Sequence, residues 1–100
     1  MIDWSRIVGF QWDEGNSRKN VDKHGVGQTE AEDVFFADPL VIAEDLTHST
    51  QEFRFHALGT TIAGRRLHVT FTLREGETQI RVISARDMSQ KERSVYVKAR

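Results

Sequence analysis

Three arginines set among alternating apolar positions carry the clearest chemical signal in this 100-residue sequence: Arg54, Arg81 and Arg86. Arg81 and Arg86 fall in the stretch from Ile80 to Tyr96, where an alternating apolar strand runs almost at once into a capped helix. A guanidinium held on, or at the end of, a rigid strand suits an anionic ligand, because its planar fork of N–H donors meets phosphate oxygens two at a time. Lys23, His24, His56 and His68 are candidate proton carriers, and of these residue types only histidine has an unperturbed pKa near neutrality. Metal-independent RNA cleavage needs this combination. One group helps the 2′-oxygen attack in line, cations stabilise the charge growing on the phosphate, and a donor protonates the leaving 5′-oxygen.

Each of these residues also has a plainer role. A lone strand arginine is more often a solvated charge or an ion-pair member, and His56 and His68 are more often cross-strand neighbours than catalysts. Lys23-His24-Gly25 is what a helix C-terminus favours, with cations near the negative end of the dipole and a glycine for the left-handed turn. His48 and Glu52 are spaced four apart, but they fall in a loop and at a strand start, with no third ligand and no His-Glu-x-x-His. No metal and no cofactor are expected. Trp4, Trp12, Phe35 and Phe36 read as core or interface residues, with base stacking a secondary role for Trp12.

The elements that must position these groups follow from period and caps. Val8 to Trp12 alternates and predicts a first strand; Asp13 is a natural N-cap for a polar helix ending at Gly25. Thr29-Glu30-Ala31-Glu32 predicts a capping box for a second helix through Val34, Phe35 and Phe36, stopped by Asp38-Pro39. From Leu40 the period becomes two. Strands are predicted at Leu40 to Glu44, from Phe53 to Ala57, from Arg66 to Leu73 and from Ile80 to Arg86, with a polar connection through Asp45, His48 and Gln51. Ser89-Gln90-Lys91-Glu92 opens a last helix. The order β-α-α-β-β-β-β-α predicts an α+β domain whose antiparallel sheet is packed by helices on one face. The opposite face is expected to be exposed and to carry Glu52, Arg54, His56, Arg66, His68, Thr70 and Thr72, with Arg81 joining them if its strand faces the same way.

Composition narrows the class. The chain spans a single small domain, contains no cysteine, and has a net charge of -1, which argues against a generally basic nucleic-acid binder. Residues 1–52 hold four Lys/Arg against eleven Asp/Glu, whereas residues 53–100 hold ten against four. Such asymmetry points to a charged partner for one face, or to two halves that neutralise one another. No apolar run approaches the roughly 20 residues that span a bilayer, and the first residues lack a signal-peptide core, so a cytoplasmic protein is expected.

With the elements placed, the chain resembles the BrnT family of bacterial toxins from Phe10 to Tyr96. The resemblance rests on Phe10-x-Trp12-Asp13, on Asn20-x-x-Lys23-His24-Gly25-Val26, and on Ala31-x-x-Val34-Phe35 with Asp38. It continues through Glu52-x-Arg54-Phe55, Leu58-Gly59 and Gly64-Arg65-x-Leu67-x-Val69-x-Phe71-Thr72-x-Arg74, and closes with Ile80-Arg81-x-Ile83-Ser84-Ala85-Arg86 and Glu92-Arg93-x-x-Tyr96. Met88 and His56 depart from the pattern, standing where a small and an apolar residue are commoner. The resemblance implies a RelE-like fold and a type II toxin, a ribonuclease that inhibits translation. It also implies neutralisation by a BrnA-like antitoxin with a ribbon-helix-helix DNA-binding domain, in a heterotetramer that reaches operator DNA only through the antitoxin. Carried onto matching positions, it puts Lys23, His24, Arg54, Arg81 and Arg86 in the RNA site. Two further readings are an inactive co-repressor of a DNA-binding antitoxin and an unrelated small adaptor whose arginines pair with the acidic half.

Overall fold

The computed structural model describes residues 2–47 and 52–99, so His48 and Gln51 of the predicted connection lie outside the described residues. The strands are β1 (Gly9–Gln11), β2 (Val41–Asp45), β3 (Arg54–Thr60), β4 (Arg66–Arg74) and β5 (Gln79–Asp87). The helices are α1 (Glu14–His24), α2 (Gln28–Asp33) and α3 (Gln90–Lys98), with single 3₁₀ turns at Trp4–Arg6 and Val34–Phe36. The predicted α+β order is realised as one five-stranded sheet, β1-β5-β4-β3-β2. Strands β2 to β5 pair antiparallel as expected from their short connections, but β1 joins the edge of β5 in parallel, so the sheet is mixed.

The local signals act as their chemistry requires. Asp13 accepts the Asn16 amide at 3.1 Å and starts α1, and Gly25 ends it at φ 65°. Ser89 and Glu92 exchange hydrogen bonds with each other's amides at 3.2 and 2.8 Å, closing the capping box of α3. The capping box predicted for α2 is displaced. The helix begins after Gly27, whose amide donates to Glu30 at 3.4 Å, and Glu32 instead accepts the indole N–H of Trp12 at 2.7 Å. Phe53 precedes β3 and stays exposed rather than packing inward.

One face of the sheet carries the core. Phe55, Ala57, Leu67, Val69, Phe71 and Val82 pack there under Val26, Ala31 and Val34, with Phe35 meeting Phe71 edge-on at 4.9 Å. Gly59 admits the chain above it: a Cβ at this position would lie 2.8 Å from the Val34 carbonyl oxygen.

The other face differs from expectation. His68, Thr70 and Thr72 are only 8, 9 and 1 % exposed, so it is a closed polar layer rather than an open one. The cause is partly α3, which lies over the far end. Tyr96 and Met88 bury Leu58 there, and the Tyr96 hydroxyl donates to the Pro39 carbonyl at 2.7 Å. Met88, one of the two departures from the family pattern, is thus the apolar seat of the helix. Elsewhere in the layer the Thr72 hydroxyl donates to the Phe53 carbonyl at 2.7 Å.

Candidate active site on the polar sheet face

Strand β5 decides which arginines share this face. Thr70 pairs with Ser84 but Phe71 pairs with Val82, so Ile83 is an extra residue, a β-bulge. Without it, alternation from Ile80 and Val82 would carry Ser84 and Arg86 into the core side. The bulge reverses the parity. Ile80, Val82 and Ala85 all face the core, while Arg81, Ser84 and Arg86 face the polar layer.

Cross-strand register then sorts that layer into rows. Thr72 stands opposite Arg81, and Arg54 lies one position before the Phe55–Phe71 pair on β3. His56, Thr70 and Ser84 form the next row, and Leu58, His68 and Arg86 the one after. Four positions along β4 separate the Arg81 row from the Arg86 row, about 13 Å of strand. Cations thus flank a hydroxyl- and imidazole-bearing floor.

Carboxylates hold that floor in place. Arg81 donates to Gln11 at 3.2 Å and to Asp13 at 3.1 Å, so the N-cap of α1 also anchors the β5 arginine. Arg86 donates to both oxygens of Glu92, at 2.8 and 2.9 Å. The Arg86 bonds, helped by the Ser89 amide, pull the Glu92 carboxyl down to about 2, and Glu92 in turn raises Arg86. His56 is placed by Asp45 on one side, with Nε2 3.1 Å from Oδ2, and by Thr70 on the other, with Nδ1 3.1 Å from the hydroxyl oxygen. The His68 ring lies 4.8 Å from that of His56, centre to centre. Burial, and then the charge of Arg86, push His68 down to about 4, so it is neutral at pH 7.

Of the five residues singled out from sequence, Arg54, Arg81 and Arg86 therefore come together. Lys23 and His24 do not join them. Lys23 is exposed on the outward side of α1, in line with Arg18, Lys19 and Asp22. His24 ends α1 beside Asp87, which has the core-side parity of Ala85. Its carbonyl, like that of Gly25, accepts from Arg65, at 3.0 and 2.8 Å. Arg65 also grips Asp87 through two bonds, at 2.8 and 3.1 Å. Trp12 packs against the core and is held by Glu32, away from the arginine face. Asp45 and Glu92 were not foreseen as site residues. Asp45 continues the alternation of Val41 and Ala43 by one step, and Glu92 was visible only as the third residue of a capping box.

Comparison with known proteins gives this geometry a family. Residues 12–92 match the sequence model of a family described as "Ribonuclease toxin, BrnT, of type II toxin-antitoxin system". The fold is similar to the crystal structure of the Brucella abortus ribonuclease toxin BrnT, at a TM-score of 0.61 and 25% identity, over 83% of this chain and 99% of that one. No curated protein matches. The matched segment runs from Trp12 through all of β2 to β5 to the helix that carries Glu92, and on that match this chain belongs to the BrnT family, the ribonuclease toxins of type II toxin–antitoxin systems.

Proposed function

We propose that the chain is a metal-independent endoribonuclease that cuts RNA on the polar sheet face and thereby inhibits translation. Arg54, Arg81 and Arg86 hold the scissile phosphate and its neighbour, and they supply the positive charge that a metal would otherwise provide. Proton transfer, which the family resemblance assigns to Lys23 or His24 at the end of α1, falls to a group on the arginine face, since neither residue stands with the three arginines. The partner is a BrnA-like antitoxin with a ribbon-helix-helix DNA-binding domain, forming a heterotetramer in the cytoplasm that touches operator DNA only through the antitoxin. The observation that carries this reading is the Ile83 bulge, which turns Arg81 and Arg86 to the same side as Arg54.

A second reading, a catalytically inert co-repressor, draws on the carboxylates that already neutralise Arg81 and Arg86. One experiment separates the two. The chain is induced in a bacterial host with and without the product of the adjacent open reading frame, and growth and total RNA are followed together. Growth arrest with RNA decay, relieved by the neighbour and by Arg86→Ala in a folded variant, supports the ribonuclease. Unarrested growth, with a stable complex between the two products, supports the co-repressor.

A further inference from the structure

We propose that His56 is the general base of RNA cleavage, oriented by Asp45 and contacting substrate in the gap between the arginine rows. The inference rests on the reading that RNA is cut on this face, and it moves the proton-accepting role from α1 to β3. His56 is placed for it in a way that Lys23 and His24 are not. It shares its face with Arg54, the residue two before it on β3, and its row lies between those of Arg81 and Arg86.

Both ring nitrogens have defined surroundings. Asp45 Oδ2 lies 3.1 Å from Nε2 and, as a carboxylate, can only accept; in the neutral ring it therefore holds the proton on Nε2 and leaves the lone pair on Nδ1. In that tautomer the lone pair points along the row toward the Thr70 oxygen, 3.1 Å away, and the hydroxyl is the donor. Carboxylate, imidazole and hydroxyl in series give a base oriented by a third group. The groups facing His56 are Asp45 from β2, Thr70 and His68 from β4 and, beyond His68, the Arg86–Glu92 pair at α3. His68 is the poorer candidate, being the more buried of the two and wedged against Arg86 and Glu92.

The step balances without a co-reactant other than water. A ribose 2′-hydroxyl takes the place of Thr70 at Nδ1 and gives up its proton there. The O2′–P bond forms as the P–O5′ bond breaks, and the departing O5′ takes a proton from water. The products are a 2′,3′-cyclic phosphate and a 5′-hydroxyl end, and His56 returns its proton to solvent.

The same three hydrogen-bonded side chains would also exist if they only tied β2, β3 and β4 together, so the test needs a readout that packing does not move. Purified wild type, His56→Ala and His56→Gln are assayed on a single-stranded RNA, each with and without added imidazole. Glutamine retains hydrogen-bonding ends for Asp45 and Thr70 but takes no proton, so it serves if the alanine variant fails to fold. Both variants are expected to cleave at least about 100-fold more slowly, with imidazole restoring rate to the alanine variant alone. His56→Gln within about threefold of wild type overturns the assignment, as does a slow, folded His56→Ala that imidazole leaves unchanged. Wild type that cuts no RNA removes the ribonuclease reading of this face itself, a failure distinct from either.

Discussion

Glu92 meets Arg86 through two parallel hydrogen bonds of 2.8 and 2.9 Å, and the same carboxylate caps α3 by accepting the Ser89 amide at 2.8 Å. The helix that closes the polar face is therefore fastened through the arginine assigned to phosphate. Replacing Glu92 with glutamine weakens both attachments and is expected to cost about 1–3 kcal/mol at pH 7. Because the carboxyl is lowered in the fold from 4.5 to about 2, its contribution is fully present above pH 4.5 and is lost as the pH falls toward 2. Urea unfolding of wild type and Glu92→Gln at pH 7 and pH 2 checks this: the gap between them closes in acid. A gap that persists undiminished at pH 2 would contradict the assignment.

The two partners are also expected to be non-additive. Arg86→Ala alone leaves the Glu92 carboxylate partly buried without its counter-charge, and this cost is separate from any role of Arg86 in binding RNA. The double variant Arg86→Ala/Glu92→Gln removes that residual charge. Its stability loss is expected to fall short of the sum of the single losses by about 1–3 kcal/mol, measured in a double-mutant cycle. Strict additivity would mean that the pair contributes nothing to the fold.

His68 imposes its own pH dependence. It stands at about 4 in the fold against 6.5 as an unperturbed group, so between those values the unfolded chain binds a proton that the folded chain refuses. Stability is full above pH 6.5 and declines as the pH falls toward 4, by up to about 1.4 kcal/mol per pH unit. His68→Leu removes both this proton and the buried Nδ1, which has no hydrogen-bond partner among the described residues. The variant is expected to show a flatter stability profile from pH 7 to 4.5, and an unchanged slope would assign the acid sensitivity elsewhere.

Most of the scaffold was legible in the sequence because its signals are local. Alternation marks β3, β4 and β5, and Asp13, Gly25 and Ser89 act within one helical turn of themselves. The site was less legible because its geometry is relational. Ile83 continues an apolar run and looks like any strand residue; only pairing with β4 makes it a bulge and turns Arg86 outward. Thr70 and Thr72 have the composition of an exposed face, and their burial depends on how the polar layer closes over them in the folded chain. Asp45 reads as the start of a loop until β3 pairs with β2 as far as Arg54.

Arg65 illustrates the same point with a different consequence. It stands just before β4, yet its guanidinium reaches Asp87 on β5, Glu30 on α2 and the last carbonyls of α1. Lysine has the charge but not the fork, and cannot make these bonds together. Arg65→Lys is expected to cost about 2–3 kcal/mol, from the charge-assisted bonds to Asp87 and the two freed carbonyls. Thermal melting reads the loss, and cleavage by the protein that remains folded is expected to be unchanged, since the hydrogen bonds of the Arg65 guanidinium among the described residues go to Asp87, Glu30 and the end of α1 rather than to the polar face. Activity falling further than the folded fraction would show that α1 and its Lys23-His24 end take part in the reaction.

Gly59 tests the packing that positions β3 itself. Its backbone is extended and does not need glycine's freedom; what it needs is space, because an added Cβ meets the Val34 carbonyl at 2.8 Å and the Val34 and Ala37 side chains at 3.0 Å. The obstacle at the shortest distance is main chain, which cannot rotate away. Gly59→Ala must push the 3₁₀ turn at Val34–Phe36 off the sheet, with an expected cost of about 1–3 kcal/mol from overpacking. Near-ultraviolet circular dichroism is a suitable second readout, since Phe35 rides on that turn and packs edge-on against Phe71. A variant as stable as wild type would mean that the turn yields freely, and that β3 is held in register by its neighbours in the sheet rather than by the layer above it.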